Sequence, residues 1–304
     1  MMDDKVKNEL RKLYSTWGGE LEFDHSLKAH STIAIGGEAS VWLVPSSIEE
    51  LKEAKSFLED AGVEVFIIGA GSNILIPDKR LNTAFIKLGL GIFKEITFDH
   101  QTVTVGSGVL LSRLLSSCCR NGLKGMEGLV GIPGTLGGAL VMNASYESAI
   151  SDSLSKVLVL DDEGRMEWLD KGDIKFGYRA SSFKEDAVIL QAVFQLEEDA
   201  PGEIVERLKS SFVDKIKKQP FGKRSLGCVF KNPEEHEYTS AEMIDSCGMK
   251  GYTLGGAEIS LEHANFIVNR GEASYEDVVN LVSEVQKKVR EKFSVELEPE
   301  IKIL

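Results

Sequence analysis

GMEGLVGIPGTLGGALVMNA, residues 125–144, is the stretch on which the reading of the whole chain turns. Gly125, Gly128, Gly131, Gly134, Gly137 and Gly138 stand among one proline and a single charged side chain, Glu127. That composition suits no regular element and predicts a backbone-rich loop region. A second small-residue stretch lies upstream, where the hydrophobic run 63–68 reads as a buried strand leading straight into Gly69-Ala70-Gly71-Ser72-Asn73. Glycines at a strand end allow a sharp turn and let amide N–H groups face an anion such as a pyrophosphate. The turn is not GxGxxG, and taken alone such turns are more often structural. Two such loops in one domain can surround a long diphosphate cofactor from both sides. The alternative is a pair of tight turns needed only for close strand packing.

Outward from these loops, the flanks alternate between helical and strand periods. Val6, Leu10, Leu13, Tyr14 and Trp17 predict an amphipathic helix over 3–17. A strand follows at 39–44, then a helix capped by Ser46-Ser47, carrying Ile48, Leu51, Ala54 and Leu58, and stopped by Gly62. Strands are expected at 83–88, 95–98 and 102–105. Gly106-Ser107-Gly108 then opens a helix through Leu110, Leu111, Leu114 and Leu115 that closes at Asn121-Gly122. Beyond the glycine-rich stretch, 156–160 and 165–169 read as a hairpin, and 187–196 as a further strand. Ile204, Leu208, Phe212 and Ile216 mark a helix over 201–218, with a domain boundary suggested where Pro220 follows it. Ser274 with Asp277 reads as the capped start of a helix carrying Val278, Leu281, Val285 and Val289, and the closing VELEPEIKIL alternates like a strand. The order of elements is α+β.

Composition narrows the function classes. The 304 residues are 42% hydrophobic and 27% charged, enough for a sizeable core and about two domains. A formal net charge of −13 argues against a nucleic-acid surface, which relies on clustered Lys and Arg. The five histidines are dispersed, with no metal-ligand spacing, so no metal is expected. Cys118, Cys119, Cys228 and Cys247 lack CxxC spacing and do not resemble a disulfide framework. With no apolar run of membrane-spanning length and charges scattered through the first residues, the expectation is a cytoplasmic protein without membrane insertion.

Six blocks carry a resemblance. Thr32 with Ile35-Gly36-Gly37, GAGSN at 69–73, GIPGTLGG at 131–138 with Met142-Asn143-Ala144, Tyr178-Arg179-Ala180-Ser181, GCVFKNP at 227–233 and LEPE at 297–300 occur in the order found in the UDP-N-acetylenolpyruvoylglucosamine reductase family. The chain resembles that family, in its shorter form, from about residue 25 onward. The resemblance implies a vanillyl-alcohol-oxidase/PCMH-type FAD-binding domain of two α+β subdomains over 26–198, after an N-terminal helix and lead-in over 1–25. A smaller α+β substrate-binding domain over 199–304 would follow, its last strand returning Glu300 to the site. The implied cofactor is noncovalent FAD, with NADPH as reductant and UDP-N-acetylglucosamine enolpyruvate as substrate. Another FAD-dependent oxidoreductase on the same scaffold, acting on a small alcohol or lactone, would keep the glycine loops without needing GCVFKNP and LEPE.

Carried over residue by residue, the resemblance assigns Gly69, Ala70, Gly71, Ser72 and Asn73 to the cofactor, with Ile132, Pro133, Gly134, Thr135, Gly137 and Gly138, and it sets Asn143 and Ala144 near the flavin. Arg179 matches the substrate-activating arginine, and its planar, permanently charged fork suits a carboxylate; for an isolated arginine a surface salt bridge would be the plainer reading. Tyr178 joins it as a substrate-binding residue. Cys228 stands where relatives usually carry a serine proton donor, and a thiol near its reference pKa of about 8.5 can also donate a proton at neutral pH. Glu300 matches the catalytic glutamate; Glu298 shares its strand face, and the choice between them rests on the resemblance. Lys231 and Asn232 are candidates for the UDP diphosphate, beside a basic run of Lys217, Lys218, Lys223 and Arg224 whose plainer reading is a charged helix end. The sequence departs from the family pattern at Cys228, and at Asn143-Ala144-Ser145-Tyr146-Glu147-Ser148, where relatives are more glycine-rich.

Overall fold

The hydrophobic run that ends at the Gly69 turn is a strand, Glu64–Ile68, paired in parallel with Leu81–Lys87 from Glu64 opposite Thr83 to Ile68 opposite Lys87. Glu38–Val44 and then Glu20–Ser26 complete this four-stranded sheet. The computed structural model describes residues 3–234 and 236–304, and it divides into two units. One holds Met1–His25, Ala39–Ala70 and Asn82–Val213; the other holds Ser26–Glu38, Gly71–Leu81 and Asp214–Leu304.

In the first unit, the helix Ile48–Asp60 begins where the Ser47 side chain accepts the Glu50 N–H, and Gly62 follows its end at φ +69°. Its buried stripe, Leu51, Ala54 and Leu58, joins Val41, Leu43, Ala84 and Ile86 of the sheet, with Leu10 and Tyr14 of the leading helix Asp4–Tyr14. Each fully buried leucine favours this docking by roughly 1.5–3 kcal/mol over exposure. The leading helix stops short of Trp17. Ser15 and Thr16 donate their hydroxyls to the Lys12 and Leu13 carbonyls, local bonds that compete with helix continuation.

A second, antiparallel sheet runs in the order Met166–Asp170, Leu154–Leu160, Val188–Gln195, Thr102–Gly106, Ile96–Asp99. The period of two along its strands feeds two cores. Val157, Val159, Ile189 and Ala192 face the core closed by Leu111 and Leu114 of Leu111–Arg120, whereas Leu160, Val188 and Leu190 face the core of the first sheet. The expectation of an irregular 125–144 is corrected here, because the stretch contains a helix, Leu136–Val141, and a 3-10 turn, Glu127–Leu129. Leu136, Ala139 and Leu140 fall on one buried face, and tertiary packing outweighs the poor propensity of Gly137 and Gly138.

The second unit is a four-stranded antiparallel sheet, Ser225–Cys228, Phe266–Asn269, Ala257–Ile259 and Thr253–Leu254 in that order, with the helices Ser240–Ser246 and Tyr275–Phe293. Val278, Leu281, Val285 and Val289 pack with Leu226, Ile259 and Ile267, and the short segments earlier in the chain add Ile33, Ile35 and Leu75 to the same core. The capping box at Ser274 and Asp277 is present, and Asp277 also accepts the Gly256 N–H at 3.0 Å. The closing segment is not the continuous strand its alternation suggested. Only Lys302–Ile303 forms a ladder, parallel to Ile74–Leu75, and Glu300 lies outside it. Pro299 has no N–H to give, so the segment is held by single bonds instead: Lys231 N–H to Glu298 O, Glu300 N–H to Val229 O and Lys302 N–H to Asn73 O.

Candidate active site

In the first unit the two glycine-rich loops touch. A Cβ on Gly69 would lie 2.5 Å from Thr135 Oγ1, and one on Gly137 would lie 3.2 Å from Ser107 Cβ. The Leu136 and Gly137 amides donate to the Val109 and Ser107 carbonyls, each at 2.8 Å, and Leu111 N–H donates to the Gly134 carbonyl at 3.1 Å. Close packing therefore accounts for Gly69 and Gly137. Gly138 is different: an added Cβ would meet only Thr135 Oγ1, at 3.8 Å. Ile132 and Pro133 lead into this cluster, Ala70 follows Gly69, and Ala144 is buried with its N–H on the Ala139 carbonyl at 2.8 Å. Two buried polar atoms here, Ser107 Oγ and Asn143 Oδ1, have no hydrogen-bond partner among the described residues. A buried hydroxyl and a buried amide oxygen left unpaired by the protein suit a polar ligand, since such groups are rarely tolerated unsatisfied. Glu127 borders the same stretch; burial alone would raise its carboxyl, but the Gly125 N–H and Arg207 hold it below the usual range.

Arg179 stands at the tip of a hairpin. Phe176–Gly177 pairs with Ala180–Ser181, leaving Tyr178-Arg179 as a two-residue loop with Arg179 at φ +53°, a conformation uncommon for a residue with a side chain. One guanidinium nitrogen donates to Ser145 Oγ at 2.7 Å and to Ser145 O at 3.0 Å, and the Tyr178 ring centroid lies 5.5 Å from the guanidinium carbon. Asn143, itself at φ +42°, donates to the Gly177 carbonyl at 3.0 Å, and Ser181 Oγ donates to the Val141 carbonyl at 2.7 Å. The altered stretch 143–148 and the arginine hairpin are thus one hydrogen-bonded assembly.

The second unit brings the segments that carry Cys228 and Glu300 side by side. Glu300 N–H donates to the Val229 carbonyl at 2.7 Å, next to an isolated bridge between Phe230 and Pro299. Asn265 clamps this segment: it accepts the Phe230 N–H at 2.9 Å and donates to the Phe230 carbonyl at 2.8 Å. Gly227 supplies the turn before Cys228 at φ +81°. Gly71, Ser72 and Asn73 also belong to this unit. The Gly71 carbonyl accepts the Thr32 N–H at 3.0 Å, and the Asn73 side chain donates to the Glu300 carbonyl at 3.1 Å. Lys231 pairs with Glu298 at 2.5 Å, and Asn232 Oδ1 accepts the Ser240 N–H at 3.1 Å. Within the basic run, Lys218 pairs with Asp214 and Lys223 with Glu262, so part of its charge is already balanced.

Among the described residues no cluster of three His, Cys, Asp or Glu side chains could hold a metal, and no helix is long and apolar enough to cross a membrane. Ser107, Ser145 and Asn265 make contacts at these positions that the sequence pattern did not assign to a site. Ser107 lies in a third small-residue turn, Gly106-Ser107-Gly108, which was a usable signal; Asn265 had none.

Residues 39–170 match the model of an FAD binding domain, and residues 219–304 match that of the UDP-N-acetylenolpyruvoylglucosamine reductase C-terminal domain. An alkyldihydroxyacetonephosphate synthase shares the fold at a TM-score of 0.50, with 18% identity over 65% of this chain and 41% of that one. The fold and the matched flavin domain define an FAD-dependent oxidoreductase, α+β throughout. The UDP-N-acetylenolpyruvoylglucosamine reductase of Bacillus subtilis is 37% identical over 99% of this chain and 98% of its own length. The crystal structure of the Thermus caldophilus reductase superposes at a TM-score of 0.80, with 35% identity over 94% of this chain and 99% of that one. The chain belongs to the UDP-N-acetylenolpyruvoylglucosamine reductase family.

Proposed function

We propose that this protein reduces UDP-N-acetylglucosamine enolpyruvate to UDP-N-acetylmuramate with NADPH, a step of peptidoglycan precursor synthesis in the cytoplasm. The observation that carries the reading is the extent of the likeness, 37% identity over 99% of the chain, which takes in both the flavin domain and the family's C-terminal domain. Bound noncovalently, FAD would supply the hydride relay from NADPH to the terminal carbon of the enolpyruvyl group.

The protein's own residues do the rest. Gly69 to Asn73 and the loop through Ile132, Pro133, Gly134, Thr135, Gly137 and Gly138 would hold the cofactor, with Asn143 and Ala144 on its flavin side. The open side of Gly138 and the unpaired Ser107 Oγ and Asn143 Oδ1 support that assignment. Arg179, with Tyr178, binds the substrate carboxylate, and Lys231 and Asn232 take the UDP diphosphate, Lys231 through the ammonium now paired with Glu298 and Asn232 through its side-chain N–H2. As negative charge develops toward the carboxylate, Arg179 and Glu300 stabilise the enol-like intermediate, and Cys228 protonates the neighbouring carbon.

The test begins with the absorption spectrum of the purified protein, followed by NADPH oxidation with and without the UDP-sugar. Cys228→Ala should still let NADPH bleach the flavin yet turn over the UDP-sugar about 100-fold or more slowly, the usual range for a lost general acid. Cys228→Ser should remain active. A colourless protein, or full turnover by Cys228→Ala, contradicts the reading.

A further inference from the structure

We propose that Ser145 is a positioning residue for Arg179, fixing the guanidinium in the place from which it grips the substrate carboxylate; this rests on the role given to Arg179 above. Arginine has a long side chain with many rotamers, so a guanidinium that must present one face to a carboxylate needs acceptors that fix it. Backbone anchors alone do not settle the matter. Asn143 on the Gly177 carbonyl and Ser181 on the Val141 carbonyl hold the hairpin's main chain, whereas Ser145 acts on the guanidinium itself.

Its hydroxyl accepts at 2.7 Å and its carbonyl at 3.0 Å, both from the same nitrogen, and the shorter distance is typical of a charge-assisted hydrogen bond. Ser145 is a firm anchor because its own segment is closed. It bridges Ala149, whose N–H is held by Asp152 at 2.8 Å, and the intervening Glu147 N–H donates to the Gly128 carbonyl at 3.2 Å. Arg179 also keeps its left-handed φ of +53°, a strained conformation that persists only where the surroundings determine it.

Removing the hydroxyl leaves the carbonyl as the remaining Ser145 acceptor. The guanidinium then samples more positions, and the UDP-sugar half-reaction suffers while the NADPH half-reaction does not. The experiment uses the full-length, FAD-loaded protein and the variants Ser145→Ala, Ser145→Thr, Arg179→Gln and the Ala/Gln double variant. Stopped-flow bleaching by NADPH reads one half-reaction, reoxidation by UDP-N-acetylglucosamine enolpyruvate reads the other, and calorimetry gives the affinity for the product.

Ser145→Ala is expected to lower kcat/KM for the UDP-sugar and the product affinity about tenfold, the scale of one charge-assisted hydrogen bond with a second acceptor remaining. Ser145→Thr should restore both, and Ser145→Ala should have no further effect once Arg179→Gln is present. If Arg179→Gln impairs reoxidation but Ser145→Ala does not, the Ser145 proposal fails and the Arg179 role stands. Full reoxidation by Arg179→Gln overturns both. Equal loss in both half-reactions, or loss of bound flavin in Ser145→Ala, marks a merely structural serine and also overturns the proposal.

Discussion

Gly71→Ala adds one methyl group where the backbone leaves no room for it. The new Cβ would stand well inside van der Waals contact with the His30 carbonyl oxygen, and 2.9 Å from both the His30 carbonyl carbon and Ser31 Cα. Gly71 also sits at φ +63°, so alanine there carries about 1 kcal/mol of conformational strain before any clash. Relief means moving the Gly71 peptide, whose carbonyl accepts the Thr32 N–H at 3.0 Å, while the Thr32 hydroxyl donates to the Ser225 carbonyl at 2.6 Å. Leaving the Thr32 N–H unpaired adds about 1–3 kcal/mol. The total, about 2–4 kcal/mol, is a large part of the roughly 5–15 kcal/mol that holds a typical protein folded. Gly62→Ala is the matched control: its φ is +69°, and an added Cβ finds nothing within 4 Å. That variant should lose only the dihedral contribution, about 1 kcal/mol. Urea unfolding of parent and both variants at saturating FAD, with m checked for constancy, measures the difference. Equal losses in the two variants would show that the close approach to His30 contributes nothing.

Two further outcomes follow from buried hydrogen bonds. Asn265→Ala removes both arms of the Phe230 clamp and leaves a buried N–H and C=O without that partner, so stability should fall by about 2–4 kcal/mol in chemical denaturation, with UDP-sugar turnover falling more than NADPH bleaching. Glu50 is nearly buried; desolvation alone would raise its carboxyl, but the Ser46 N–H, the Gly18 N–H and the Ser46 hydroxyl hold it below its usual range. A carboxyl depressed in the folded state stabilises fully above its unfolded pKa, about 4.3, and that contribution disappears as pH falls through the lower folded value. Glu50→Gln should therefore cost about 1–3 kcal/mol at pH 7, a gap that narrows in acid denaturation below about pH 4.

The helices and ladders were legible wherever one apolar period persisted. The 48–60 helix with its Ser47 cap, the Ser274–Asp277 capping box and the 154–170 hairpin all stand near where their patterns put them. The helix at Leu136–Val141 was not legible, because glycine-rich composition hid three residues whose burial is decided by the opposing sheet. Nor could local pattern show that Ile33, Ile35 and Leu75 pack with Leu281 and Val285, since a short apolar segment carries no mark of the core it joins. Cys228 and Glu300 were named through family blocks; the single bonds around Pro299 that join their two segments are announced by no periodicity. Ser145 was visible only as a departure from a pattern, and its bond to Arg179 depends on a hairpin contact 34 residues away.

The second unit's dependence on distant segments has a consequence during synthesis. Asn73 meets the Glu300 backbone across 227 residues, and Ile74–Leu75 acquires its parallel neighbour only from Lys302–Ile303. At the roughly 5–20 residues per second of translation, the 71–75 segment waits about 10–45 s for that pairing. Throughout that interval the growing polypeptide carries apolar groups and an unmatched strand edge whose native neighbours are still on the messenger, which is when this half of the molecule is most open to misassociation.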